Sequence, residues 1–178
     1  MDYKIRESSK ISGIYIIETS ASSDIRGNIW TSFLKNEFEN ILPKQIEFKH
    51  DKFSTSNNNV LRGIHGDKKS WKLVTCVYGD IQQVVVDLRE ESSTYLLWED
   101  FSINQDNQLL ILIPPNMGNA YYVKSEKAVY HYKLAYRGQY ADVEDQFSIQ
   151  WNDSRIGIKW LSNNPILSKR DAEVINYE

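Results

Sequence analysis

The chain has 178 residues, 41% hydrophobic and 12% aromatic, with 21 Lys+Arg against 24 Asp+Glu for a formal net charge of -3. That length suits a single domain over residues 1–178, and the apolar content is too high for a disordered chain. The acidic balance offers no general attraction to nucleic acid or anionic membranes, so any basic site has to be local.

The start, Met1 to Ser8, lacks the apolar core of a signal peptide, and no later segment approaches the roughly 18 apolar residues of a membrane span. With one cysteine, Cys76, no disulfide can form within the chain, so a reducing cytoplasm is the expected compartment. Short segments rich in Ile, Val, Tyr, Phe and Trp, separated by turn signals, predict strands over 14–18, 28–33, 45–53, 59–65, 71–78, 81–88, 95–103, 108–113, 120–124, 128–136 and 147–151. Helix is confined to 32–39 and to a turn opening at Ser168, where Ser168-Lys169-Arg170-Asp171 reads as a capping box with Asp in place of Glu. Many short strands with little helix between them predict an all-β sandwich or barrel. Cys76, inside the apolar run Leu73 to Tyr78, is read as a buried structural thiol.

Chemistry concentrates in Asn59-Val60-Leu61-Arg62-Gly63-Ile64-His65-Gly66-Asp67, followed by Lys72. An apolar strand there brings a cation and a titratable base to one place, as an enzyme acting on an anionic substrate with an acidic carbon requires. Taken alone, a histidine on such a strand is ordinarily a hydrogen-bonded structural residue. In the segment 128–136, period-2 alternation puts Tyr130, Tyr132 and Tyr136 on one face, with His131 and Lys133 on an outward or interface face. Stacked tyrosines are ordinarily packing. The stretch Ile113-Pro114-Pro115-Asn116-Met117-Gly118-Asn119-Ala120 reads as strand, tight turn, strand, and resembles the second half of a cupin motif.

The ordered series Asp24-Ile25-Arg26-Gly27, Leu61-Arg62-Gly63-Ile64-His65, Lys72-Leu73-Val74, Gly79-Asp80-Ile81, Val86-Asp87-Leu88-Arg89, Ile113-Pro114-Pro115, Tyr132-Lys133, Trp151-Asn152-Asp153, Ile156-Gly157-Ile158 and Leu167-Ser168-Lys169-Arg170-Asp171 resembles the nucleotide-sugar 3,5-epimerase family, whose type member acts on dTDP-4-keto-6-deoxyglucose. The resemblance implies a cupin jelly-roll β-sandwich, a homodimer that exchanges N-terminal strands, and no metal or other cofactor. It makes His65 the base, Asp171 its orienting partner, Lys72 the cation near an enolate oxygen and Tyr132 the acid. Arg62 and Arg26 match the arginines that grip the diphosphate, and Lys52, Ser54 and Asn119 join them as expected substrate-binding residues.

Two departures stand out. Asn119 replaces a family histidine, and an amide cannot titrate; the loop between His65 and Lys72 is shorter than in the rhamnose enzymes. Taken together, Arg62-Gly63-Ile64-His65-Gly66-Asp67, Trp71-Lys72-Leu73, Gly118-Asn119-Ala120 and Asn164-Pro165-Ile166-Leu167-Ser168 resemble a branch acting on GDP-linked 4-keto heptoses for capsular polysaccharide. The alternatives are a dTDP-4-keto-6-deoxyhexose 3,5-epimerase, a 3,4-ketoisomerase with a different histidine arrangement, and a non-catalytic cupin that binds a sugar nucleotide.

Overall fold

In a computed structural model that describes residues 3–141 and 144–174, the chain is mostly strand. The order is β1 (Tyr3–Glu7), β2 (Tyr15–Thr19), β3 (Ala21–Asp24), β4 (Gly27–Trp30), α1 (Lys35–Phe38), β5 (Glu47–Asn57), β6 (Leu61–Asp67), β7 (Trp71–Tyr78), β8 (Asp80–Asp87), β9 (Trp98–Asn104), β10 (Leu110–Ile113), β11 (Met117–Val123), β12 (Lys127–Tyr136), β13 (Gln146–Ser148) and α2 (Lys169–Ala172). One sheet runs β1-β2-β10-β7-β12-β5 and a second runs β13-β6-β11-β8-β9, while β3 and β4 form a separate hairpin. Neighbouring strands pair antiparallel, and chain neighbours such as β6 and β7 fall in different sheets.

The sheets meet face to face over one apolar core. Val74, Cys76, Ile111 and Tyr130 from the larger sheet pack with Ile81, Val85, Ile103 and Tyr121 from the smaller. Their outer faces are covered too, which explains why β7 and β8 read as nearly continuous apolar runs. Leu73 turns outward into a cluster with Phe38 and Phe48, and Val84 and Val86 turn outward into one with Ile156 and Trp160. Each such side chain contributes about 1.5–3 kcal/mol when fully buried.

The predicted 32–39 helix contracts to four residues. Leu34 at its N-cap offers no side-chain acceptor, so the turn is held by Phe38, which is buried against the rings of Phe33 and Phe48. Strands β1 and β3 were not expected from the pattern. The first is an edge strand alternating Tyr3 and Ile5 with Lys4 and Arg6, and the second, mostly polar, is exposed throughout. On β12 a register shift between Leu134 and Ala135 breaks the expected alternation, so both residues are buried. His131 shares the outer face with Lys133, yet it is buried there, bonded to Asp51 at 2.7 Å and stacked on Phe53. Cys76 is buried as expected, and loss of solvation pushes its thiol up to about 11.

Candidate active site

A cleft of about 410 Å³ opens between the sheets. Strand β6 sends both Arg62 and His65 into it, although residues three apart on a regular strand face opposite ways. Register accounts for this. Asn119 pairs with His65 and Tyr121 with Arg62, so two steps along β11 span three along β6, and the surplus residue is a bulge at Gly63 and Ile64. Gly63 has φ +134°, and a Cβ there would lie 2.7 Å from the Ala120 Cα, so only glycine fits the bulge.

His65 Nε2 lies 2.6 Å from Asp171 Oδ1. Ser168 caps α2 by accepting from the Asp171 backbone N–H at 3.1 Å, as the sequence expects. The Asp171 carboxylate is more than a helix-start charge, because the capped turn aims it at the imidazole. Burial raises the pKa of Asp171, but the hydrogen bond and charge of His65, the Ser168 hydroxyl and the Gly63 N–H outweigh burial and hold it below the ordinary value. With Nε2 engaged, Nδ1 is the ring nitrogen left for proton exchange.

The opposing sheet supplies Lys72 from β7 and Tyr132 from β12. Lys72 Nζ donates to Asp67 Oδ2 at 2.7 Å, and both side chains are nearly buried. Burial raises the Asp67 pKa, but the charge and hydrogen bond of Lys72 and the backbone N–H groups of Lys69 and Ser70 bring it below normal. Tyr132 is half-buried. Its pKa is raised chiefly by burial, partly opposed by Lys52 and Arg62, so at neutral pH it is a phenol with a proton to give.

At the mouth, Arg62 Nε donates to Ser56 Oγ at 2.9 Å, and Tyr121 joins Ser54 and Ser56 through its hydroxyl at 2.7 and 3.1 Å. Lys52 Nζ sits 4.5 Å from the Tyr140 ring centroid. Arg170 bonds Ser148 Oγ at 2.7 Å. The two cleft carboxylates, Asp67 and Asp171, are committed to Lys72 and His65. Lys52, Arg62 and Arg170 therefore form a cationic rim on an acidic protein, the local basic site that net charge demanded.

The cleft thus gathers His65, Asp171, Lys72, Tyr132, Arg62, Asn119, Lys52 and Ser54. Arg26 is elsewhere: it lies at the tip of the β3–β4 hairpin, 85% exposed, with its guanidinium on Asp24. Asp67, Tyr140 and Arg170 line the cleft without having been singled out from sequence. Asp67 was legible, since it stands two residues past His65 on one strand. Tyr140 comes in on a loop and gave no signal, while Arg170 sits on α2 inside the Ser168–Asp171 motif, where it was given no role. Among the described residues, no group of three or more His, Cys, Asp or Glu side chains is placed to hold a metal ion.

A sequence model of the dTDP-4-dehydrorhamnose 3,5-epimerase family matches residues 8–178. The chain belongs to this family. The dTDP-4-dehydrorhamnose 3,5-epimerase of Salmonella typhimurium is 34% identical over 166 residues, covering 91% of this chain and 89% of that enzyme. The crystal structure of dTDP-6-deoxy-D-glucose-3,5-epimerase from Legionella pneumophila, in complex with dTDP-4-keto-L-rhamnose, superposes with a TM-score of 0.87 at 31% identity, over 96% of this chain and 90% of that one. A 3'-monoepimerase from Streptomyces bikiniensis in complex with dTDP-quinovose gives 0.85 at 26% identity, over 96% and 86%. These epimerase-family relatives identify the sandwich as the cupin-like jelly roll that the sequence implied, in a family of isomerases acting on nucleotide sugars.

Proposed function

We propose that this protein epimerises a dTDP-linked 4-keto-6-deoxyhexose at C3, C5 or both, through an enolate. One observation carries the reading: a His-Asp pair from β6 and α2 and a protonated tyrosine from the opposing sheet line a single cleft. A 4-keto group acidifies the neighbouring C–H bonds. His65 takes that proton, the bonding pair moves onto the C4 oxygen, and Lys72 stabilises the resulting enolate. Asp171 orients the imidazole and stabilises its cation. Tyr132 returns a proton to carbon on the opposite face, and solvent exchange resets His65 and Tyr132. Arg62 and the other rim cations hold the diphosphate, a group suited to the guanidinium fork.

Arg26 enters through a second copy. In a homodimer that exchanges N-terminal strands, the exposed hairpin of one protomer, with Ile25 bare at its tip and Ile29 bare on β4, brings Arg26 to its partner's diphosphate. The GDP-linked heptose expected by resemblance has no support among the relatives described above, whose names carry dTDP-linked sugars. The dTDP-linked hexose is therefore preferred.

Proton NMR in D2O tests the reading, with dTDP-4-keto-6-deoxyglucose and a GDP-4-keto-heptose offered separately. Loss of the C3 signal, the C5 signal or both from the dTDP sugar is expected. Exchange confined to the GDP sugar would reverse the choice of substrate, and exchange with neither would leave a binding protein.

A further inference from the structure

Behind the cleft lies a chain of amides that the mechanism above does not use. Gln83, on β8, is fully buried, and the register of β8 and β11 places it diagonally next to Asn119 on one face of the sheet. Its Nε2 donates to the Val84 carbonyl at 3.0 Å and to Asn119 Oδ1 at 2.7 Å. Its Oε1 accepts from the Tyr130 hydroxyl at 2.8 Å. That phenol is fully buried, and burial raises its pKa well above normal, so it stays a donor.

These bonds remove the ambiguity an amide usually has. A backbone carbonyl can only accept, so the atom facing Val84 O has to be the Gln83 nitrogen. The second hydrogen of that nitrogen then faces Asn119, which must answer with its oxygen. The Tyr130 hydroxyl, 3.3 Å from the same Oδ1, has its one hydrogen on Gln83 Oε1 and suits either orientation, so the Val84 carbonyl decides. What remains of Asn119 is its NH2 group. Asn119 lines the cleft beside its register partner His65, and among the described residues no acceptor meets its Nδ2.

We infer that Gln83 is a positioning residue that locks the Asn119 amide with its NH2 toward the sugar, making Asn119 a neutral donor to a keto or hydroxyl oxygen next to the carbon deprotonated by His65. This deepens the epimerase reading of the cleft and rests on it. Because neither amide titrates, the contact is the same at every pH at which the fold survives. An oxygen acceptor at that ring position becomes a requirement of the site. Gln83 does not itself line the cleft, so its effect passes through Asn119.

The experiment compares wild type, Gln83→Met, Asn119→Ala and the double variant, measuring kcat and KM for C3 and C5 proton exchange with dTDP-4-keto-6-deoxyglucose. It adds side-chain amide 1H–15N spectra with and without that sugar nucleotide. Each single variant should lose about tenfold in kcat/KM, the order of one neutral hydrogen bond. Gln83→Met should cost nothing further in the Asn119→Ala background, the signature of coupled neighbours. In wild type the Asn119 NH2 signals should move on adding the sugar nucleotide, and in Gln83→Met they should not. Full additivity, or an Asn119 response unchanged by Gln83→Met, would overturn the inference. If wild type exchanges no proton, the epimerase reading fails, and the amide spectra still decide whether Gln83 orients Asn119. Should Gln83→Met not fold, the wild-type spectra still decide: Asn119 NH2 signals that stay in place when the sugar nucleotide binds would overturn the inference.

Discussion

Replacing Asp67 by Asn isolates one buried ion pair without changing shape. Asp67 Oδ1 accepts the backbone N–H groups of Lys69 and Ser70, while Oδ2 alone faces Lys72. In Asp67→Asn the amide oxygen keeps both backbone bonds and the NH2 group takes the Oδ2 position, so two N–H bonds point at an ammonium. Turning the amide over restores an acceptor for Lys72 and abandons the two backbone donors instead. Removing one partner of a buried pair costs about 3–5 kcal/mol, and because Lys72 borders the cleft, where water reaches it, about 3 kcal/mol is expected at pH 7. Urea unfolding with an unchanged m-value measures it. The depressed pKa of Asp67 adds a sign: the carboxylate stabilises the fold above the ordinary range near pH 4 and loses that effect as pH falls through its lower folded value. The gap between wild type and variant should therefore narrow below about pH 4. A difference under about 0.5 kcal/mol at pH 7, the size of an ordinary surface substitution, would refute the argument, as would a gap that stays constant into acid.

Further outcomes follow from the same geometry. His65→Asn should lower solvent exchange at the ring carbon by a factor of about 10²–10⁴ in a protein that still folds, with a lower unfolding midpoint because buried Asp171 loses its partner; a folded variant that still exchanges would remove the proposed base. Tyr132→Phe should leave proton washout largely intact while inversion slows, read as a raised ratio of deuterium uptake to epimer formed; equal loss of both would deny it the role of acid. Ser168→Ala removes the cap that aims Asp171 and should cost about 1 kcal/mol by urea unfolding, with kcat falling more than KM rises. Gly63→Ala puts a methyl into Ala120 and should destabilise by at least the 1–3 kcal/mol typical of overpacking, lowering the thermal midpoint.

Much of this architecture could be read from residue patterns, and the parts that could not have identifiable physical reasons. Strand β7 was located to the residue, because turn signals bracket a run rich in β-branched and aromatic side chains. Strand β3 was invisible, since four exposed residues, an alanine followed by three polar ones, carry no periodicity and only the pairing with β4 makes them a strand. The helix at 32–39 was overdrawn because propensity cannot see a missing cap. At the site, Ser168 and Asp171 were marked by a local motif, and the structure adds that the motif aims a side chain. Arg62 and His65 three apart look incompatible on period-2 reasoning, and only the bulge opposite β11 reconciles them. Gln83 was not singled out from sequence, because its partners come from two other strands in two sheets.

The cationic rim has a consequence for how ligands arrive. Seen from afar the molecule is an anion of formal charge -3, and a nucleotide diphosphate approaching at low ionic strength meets repulsion before it meets Lys52, Arg62 or Arg170. At physiological salt the Debye length is about 8 Å, which suppresses the distant field more than a contact at the rim. Added salt thus removes an obstacle to encounter before it weakens the grip, the opposite order from a protein that draws its ligand in with a uniformly basic surface.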